Sequence, residues 1–391
     1  MDLTKVRRFV NRKIGRIGEV TLIRYVFPLD LSYGRVCLSA LLSVDSSLLG
    51  RLSRPPVTTP LPLRSIIFLD IETTALGTGR ECQVFLVGLG RIEGETLLLE
   101  QYFLEHPRAE TEILTMLRLQ MEGVTSFVSF NGRLFDWPVL RSRFLSLDLG
   151  EPPPDPIHLD LLYPARRVWR PRVGSASLTA IEASVLGAHR SIDVPSWLVP
   201  SLYWKYLEWG DPKIIEPVLA HNLQDVLALP ALLALLGQAL HDPAHLEEPE
   251  DRFGMACLLE EANDFARAQL GYEQALQGNP SQEIRLKAVL RLADLYRRSG
   301  QFIGSIQLLE EEAEGPLRGC SCIYAKLAKL YERHLRDFAA AHAMAMKALD
   351  LLNTDPTLSE PQRKRLEEEL VCRLERLERR LSRIPSASLR V

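Results

Sequence analysis

The sequence predicts an α/β domain with a mixed sheet flanked by helices, followed by an all-helical repeat region. Three observations predict it. Between residues 61 and 245, short apolar runs bounded by turn residues alternate with segments of helical period. From residue 251 onward the composition shifts to Ala, Leu, Glu and Arg, with helical spacing throughout. Within that second stretch the pattern recurs: Ala293 and Tyr296 return as Ala328 and Tyr331, each 35 residues later.

Bulk properties narrow the class. The chain has 391 residues, 46% hydrophobic and 25% charged, which is the make-up of an ordinary globular protein with room for two or three domains. Its net charge of -3 means that any nucleic-acid surface must come from local clustering. The basic start, "KVRRFVNRKIGRIG", lacks the apolar core of a signal peptide. No apolar run approaches the length of about 20 residues that spans a bilayer, so no membrane is expected. Six scattered cysteines without a CxxC pair are expected to be reduced and structural, in a cytoplasmic protein.

Taken in order, residues 1–60 read as an extension with one or two strands, ending in the proline-rich linker "LSRPPVTTPLPL". "SIIFL" is a buried strand. "CQVFLVGLGRIEGETLLLEQYFL" forms two strands around the turn "IEGE", and "AETEILTMLRLQM" a helix. "VTSFVSF" is a strand running into a glycine-bearing turn and an amphipathic helix, "NGRLFDWPVLRSRF". The domain of residues 61–245 closes with a helix starting near Asp211 to Lys213 that carries "VLAHNLQDVLAL". Residues 251–352 show the small–aromatic–small–proline spacing of a tetratricopeptide repeat in Ala268, Tyr272, Ala275 and Pro280; a plain helical bundle is the alternative. Residues 353–391 hold a charged capping helix and a tail.

Chemistry concentrates at three places. "FLDIETT" ends a buried strand with Asp70 and Glu72, two positions apart and therefore on one face. Such a pair is either an exposed strand end or half of a metal site, because facing carboxylates repel unless a cation intervenes. Asp136 opens the helix after "FNGRLF", where the helix dipole favours an acid; alone it reads as an ordinary first-turn residue. His221 and Asp225 lie one helical turn apart, a spacing shared by surface contacts and catalytic pairs.

Together these form an Asp-x-Glu strand end, an Asn-x3-Phe-Asp helix start and a His-x3-Asp on a late helix. The set resembles the DEDD exonuclease superfamily with its ribonuclease H-like fold. Asp70, Glu72, Asp136 and Asp225 match its four acids in order and context. "FLDIETT", "FLVGLG", "FNGRLFDWPVLRSRF", "HLDLLYPARR" and "HNLQDV", followed by helical repeats, resemble more narrowly the bacterial YprB (mitomycin repair factor B) family. One feature departs from the superfamily pattern. Its histidine branch places the imidazole five residues before the last Asp, and His221 stands four before, where the other branch has tyrosine.

The resemblance implies a divalent-metal-dependent 3′→5′ exonuclease. A carboxylate set without cysteine suits two Mg²⁺ or Mn²⁺ ions, one activating water and one holding the leaving oxygen. By resemblance Asp70 bridges both ions, Glu72 and Asp225 hold the water-activating one, Asp136 the other, and His221 orients or deprotonates the water. Phosphate contacts are expected from "YPARRVWRPRVGSAS", where Arg166, Arg167, Arg170 and Arg172 surround Trp169; a solvated loop with its tryptophan packed on the core is equally compatible. Asn131 touches a terminal nucleotide or caps its turn, and Asp160 is an acid that could support the site from behind. Trp197, Trp204 and Trp209 are expected to be core or packing residues. DNA is favoured over RNA by resemblance, with DNA repair as the setting, a helicase as a partner and the repeats as a surface for protein partners. Two alternatives stand: an exoribonuclease in RNA processing, and a non-catalytic repeat scaffold.

Overall fold

The computed structural model describes residues 11–77, 82–152, 157–190 and 193–383. Contacts divide the chain into two units. One runs up to Glu247 and includes Cys257–Arg267; the other comprises Glu248–Ala256 and the chain from Ala268 onward.

The first unit is built on a seven-stranded sheet. Its strands are β1 (Asn11–Ile17), β2 (Val20–Pro28), β3 (Ile66–Thr73), β4 (Val84–Glu93), β5 (Thr96–Leu104), β6 (Ser126–Ser129) and β7 (Ile157–Asp160). They lie in the order β1-β2-β5-β4-β3-β6-β7. The pairs from β1 through β3 are antiparallel, and β3-β6 and β6-β7 are parallel. This is the mixed sheet expected from the sequence. The ladder between β3 and β6 ends at Phe68 with Val128, whereas β3 continues to Thr73. Asp70 and Glu72 therefore stand at a strand end that has lost its parallel neighbour, the opening where α/β sheets bind ligands.

Residues 11–28 correct one expectation. They were expected to form an extension before the domain, but β1 and β2 make a hairpin whose second strand pairs with β5 along nine positions. The reason lies in β5, which is buried over nearly its whole length and would otherwise present an apolar open edge. The proline-rich stretch that follows is packed as well: Leu49, Leu52 and Leu61 are buried, and Val44 lies against Gly237 so closely that a Cβ there would meet it at 2.5 Å.

Five α-helices of seven or more residues flank this sheet: α1 (Glu110–Gln120), α2 (Asp136–Ser146), α3 (Leu162–Val168), α4 (Val199–Trp209) and α5 (Pro212–His241). A buried ion pair, Arg143 with Glu110 at 2.5 Å, ties α2 to α1, and Glu110 also accepts the Val84 amide of β4 at 2.9 Å. Tyr203 of α4 stacks on Phe85 of β4, and its hydroxyl donates to the Leu104 carbonyl. Asp211 caps α5 by accepting from the Lys213 amide. Among the described residues α5 is long and apolar enough to cross a membrane, although no such run was expected; Asn222, Gln224 and Asp225 interrupt it when read along the sequence. Most of it is buried inside the unit, as the central core helix.

The second unit is helical throughout its described residues. Its elements are α6 (Pro249–Glu261, shared between the units), α7 (Phe265–Gln277), α8 (Gln282–Arg298), α9 (Phe302–Glu314), α10 (Ser321–Leu330), α11 (Phe338–Leu351) and α12 (Glu360–Leu381). From α8 onward each helix packs on the next around a core that includes Val289, Leu309, Leu327 and Leu370.

Candidate active site

Four carboxylates from three distant stretches line one cavity of about 760 Å³. Asp70 and Glu72 enter from β3, as alternate residues of one strand face. Asp136 enters from the first position of α2. Asp225 and His221 enter from α5.

Local structure aims each of them. The turn between β6 and α2 passes through Asn131 at φ 69, a left-handed conformation that asparagine tolerates better than most residues. Asp160, at the end of β7, accepts the amides of Asn131 (2.7 Å), Leu162 (3.0 Å) and Arg133 (3.1 Å), so it shapes this turn from behind. Gly132 leaves the room that Asp136 fills: a Cβ there would stand 2.5 Å from Asp136 Oδ2 and 2.4 Å from Ser129 Oγ. On β4, Gly88 does the same for α5, since a Cβ would lie 2.5 Å from Asn222 Oδ1 and 2.7 Å from Val226 Cγ2. That close approach lets the buried Asn222 donate from Nδ2 to Asp70 Oδ2 at 2.8 Å, while its own Oδ1 accepts from Gln101 at 2.9 Å.

The electrostatics are those of a cavity short of positive charge. Burial, then the charges of Asp225, Glu72 and Asp136, push the Asp70 carboxyl well above the usual range. Burial, Asp225 and Asp136 do the same to Glu72. Asp136 is pushed up to about 8 by burial, Asp160 and Asp225. Arg190 supplies a counter-charge: its Nη2 lies 2.5 Å from Asp225 Oδ1 and 2.6 Å from Glu182 Oε2, with Tyr33 donating to Glu182 from the other side. His221 turns Nδ1 to Asp193 Oδ1 at 2.8 Å. Its Nε2 lies 3.5 Å from Asp225 Oδ2 and 3.9 Å from Glu72 Oε1.

The donor set fits a hard divalent cation in kind. All four are carboxylates, and burial together with their mutual repulsion pushes Asp70, Glu72 and Asp136 toward the protonated form that a cation would replace. Among the described residues, no three His, Cys, Asp or Glu groups already stand close enough to share one ion. Asp70, Glu72, Asp136 and Asp225 are the residues that would hold one.

The chain is 30% identical over 325 residues to the uncharacterized protein YprB of Bacillus subtilis (strain 168), a match covering 81% of this chain and 75% of that protein. The chain belongs to the YprB family. Residues 67–237, which contain the four acids and His221, match the family RNase_H_2 of the RNase H superfamily. Among solved structures it is similar to the family B DNA polymerase of the hyperthermophilic archaeon Pyrobaculum calidifontis, with 14% identity and a TM-score of 0.36. That match covers 64% of this chain and 49% of the polymerase, so the chain spans about half the polymerase's length.

The arginine-rich stretch of this YprB-family chain divides in two. Arg166 and Arg170, four apart on one exposed face, line the cavity together with Asn131. Arg167 does not: it ion-pairs with Glu261. Trp169 corrects the expectation of a stacking platform, because it is fully buried. Helical geometry explains the split, since Arg167 stands one position from Arg166 and Trp169 one position from Arg170, about 100° round the helix in each case and so off the face those two arginines share. Trp197, Trp204 and Trp209 correct the opposite expectation: they are 68%, 49% and 67% exposed, on the outer side of α4 and the turn before it.

Five polar residues of the site escaped the sequence reading. Arg190 and Asp193 come from an irregular segment, Glu182 from a π-helical turn and Tyr33 from a two-residue strand, and no spacing rule connects them to Asp225 or His221. Asn222 left a signal, an amide inside the apolar run of α5, but its partner on β3 is 152 residues away.

Proposed function

We propose that this YprB-family protein is a divalent-metal-dependent 3′→5′ exonuclease of the DEDD type, acting on DNA in repair. The observation that carries the reading is the convergence of Asp70, Glu72, Asp136 and Asp225 on one cavity, with a paired imidazole among them. A scaffold has no physical use for four carboxylates that raise one another's proton affinity. The RNase H superfamily match over the same stretch supports nucleic-acid cleavage as the class of reaction.

When bound, Mg²⁺ or Mn²⁺ supplies a lowered pKa for water and neutralises the phosphate and the departing oxygen. The chain's own residues do the rest. Asp193 accepts the proton of His221 Nδ1, which leaves Nε2 free to take a proton on the side facing Glu72 and Asp225. Asn222 fixes one oxygen of Asp70, so that the other is presented to the cavity. Arg190 anchors Asp225. Arg166 and Arg170 hold the phosphates of the entering strand. The direction of attack, the choice of DNA and a helicase partner rest on the resemblance of the motifs, and a cytoplasmic setting on the scattered, unpaired cysteines.

The test is direct. Purified protein is given end-labelled single-stranded and duplex DNA, and the same sequences as RNA, with and without Mn²⁺. Metal-dependent mononucleotide release from 3′ ends of DNA supports the reading; release only from RNA moves it to RNA processing. No cleavage of any substrate in Mn²⁺ overturns it.

A further inference from the structure

The second unit carries a concentration of positive charge that the active site does not use. Two cavities, of about 590 and 180 Å³, share Arg333 in their linings. In the larger, Arg333, Arg336, Arg376 and Arg380 face a single acid, Glu332. In the smaller, Arg297, Lys326 and Lys329 join Arg333 around a single acid, Asp294. These residues sit at the C-terminal ends of α8, α10 and α12 and in the wide turn after α10. In a chain of net charge -3, such clustering is local design rather than composition.

Internal ion pairing takes up three of the seven cations, Arg376, Lys326 and Arg297, and leaves four. Glu332 is taken up on both oxygens by Arg376 (2.7 and 2.8 Å) and by Arg373 (2.6 Å). Asp294 is taken up by Lys326 at 2.5 Å and Arg297 at 3.3 Å. Lys329, Arg333, Arg336 and Arg380 are exposed, and none has a carboxylate within ion-pair distance among the described residues. Helix C-termini attract cations, and that accounts for a basic residue in each last turn. It covers Arg333 as well, in the last turn of the π-helical continuation of α10 (Tyr331–Leu335), but not Arg336, which follows that turn. Arg336 is held at φ 56, a conformation that disfavours a long side chain and suits glycine or asparagine.

We propose that Lys329, Arg333, Arg336 and Arg380 form a phosphate-binding track for a nucleic-acid backbone on the helical unit. The inference rests on the nuclease reading for the identity of the polyanion. Two features favour a phosphodiester strand. Five of the seven cations in the two linings are arginines, whose planar forks match phosphate oxygens. The two cavities lie on either side of a shared residue, Arg333, and two neighbouring basic cavities suit a polymer with regularly repeated charge better than a single anion.

The experiment uses the full chain and a fluorescein-labelled 40-nucleotide DNA, single-stranded and duplex, in EDTA so that nothing is cut. The combined substitution Lys329→Ala, Arg333→Ala, Arg336→Ala and Arg380→Ala should weaken binding at low salt by about tenfold or more. The slope of log affinity against log salt should flatten by about 3 for the single strand, as four phosphate contacts disappear. Arg336→Gly separates function from structure: its melting temperature should hold or rise as the strained conformation is relieved, while affinity falls. Hydrolysis of the p-nitrophenyl ester of thymidine 5′-monophosphate in Mn²⁺, too short to need the track, should be unchanged in both variants. If wild-type protein hydrolyses nothing but the variants lose affinity as stated, the nuclease reading fails and the track stands. Unchanged affinity and salt slope overturn the track, whatever the catalytic result. Loss of binding to a polyglutamate peptide with DNA binding intact also overturns it, and assigns the surface to an acidic protein partner.

Discussion

His221 Nδ1 and Asp193 Oδ1 lie 2.8 Å apart, while the opposite ring nitrogen of His221 faces Glu72 and Asp225. A carboxylate on one nitrogen fixes both the tautomer and the ring plane, which makes the other nitrogen a proton acceptor. His221→Ala should therefore lower turnover by about 10²–10⁴-fold, the usual worth of a positioned acid–base group. Asp193→Asn should lower it less and leave DNA binding alone. A Mn²⁺ titration decides between base and buttress: a His221→Ala protein that regains most of its turnover at saturating Mn²⁺ has lost only support for Asp225.

The acidic cavity makes stability depend on pH in a definite direction. Asp70 and Glu72 are held well above the usual carboxylate range, and Asp136 is pushed up to about 8. In the unfolded chain these groups titrate near about 4, so between about 4 and 8 the folded protein holds the extra protons. The melting temperature of metal-free protein should fall as pH rises through that window. Mn²⁺ takes the place of those protons, so it should stabilise most at the alkaline end. Asp70→Asn should abolish hydrolysis yet hold or raise the metal-free melting temperature. Near wild-type turnover by that variant, or a pH-independent melting temperature, would reject the site.

Much of this was legible in the sequence, and the reasons are physical. Asp70 and Glu72 share a strand face by a period of two, and His221 and Asp225 share a helix face by a period near 3.6, so local geometry alone fixes each pair. The turn into Asp136 announces itself by Asn131 and Gly132. What was illegible depends on packing between segments with no common period. Arg190 reaches Asp225, and Asp193 reaches His221, from an irregular stretch. For Trp169 and Arg167 the sequence left two readings open, because composition reveals that a loop is basic and aromatic, but not which way a short helix faces. Residues 11–28 looked like part of an appendage because sheet partners are set by the open edge of β5, which no local pattern displays.

Gly132 offers a test of how closely the site is fitted. A methyl group there would stand 2.5 Å from Asp136 Oδ2. It would also stand 2.4 Å from Ser129 Oγ and 2.7 Å from Ser129 Cβ, on a buried strand that cannot swing away as the carboxylate can. Gly132→Ala should thus lower the melting temperature and, in the protein that stays folded, raise the Mn²⁺ concentration needed for half-maximal rate and lower turnover. A variant with unchanged metal dependence would remove Asp136 from the ligand set.

The final prediction separates the four members of the arginine-rich stretch, which composition treats alike. Arg166 and Arg170 are exposed and line the cavity, so Arg166→Ala with Arg170→Ala should weaken binding to all sequences equally. Two lost phosphate contacts flatten the salt slope by about 1–2. Arg167 is already paired with Glu261, so Arg167→Ala should leave the slope unchanged. Trp169 is fully buried, and Trp169→Ala opens a large cavity at a cost of about 3–5 kcal/mol. Its effect should appear as a lower melting temperature, with the Kd of the protein that remains folded close to that of the wild type. Fluorescence anisotropy in EDTA over a series of salt concentrations, read beside thermal melts, tests all three at once. If Arg167→Ala flattens the slope as much as the Arg166 and Arg170 pair, the ion pair with Glu261 does not persist in solution, and all three arginines face the nucleic acid.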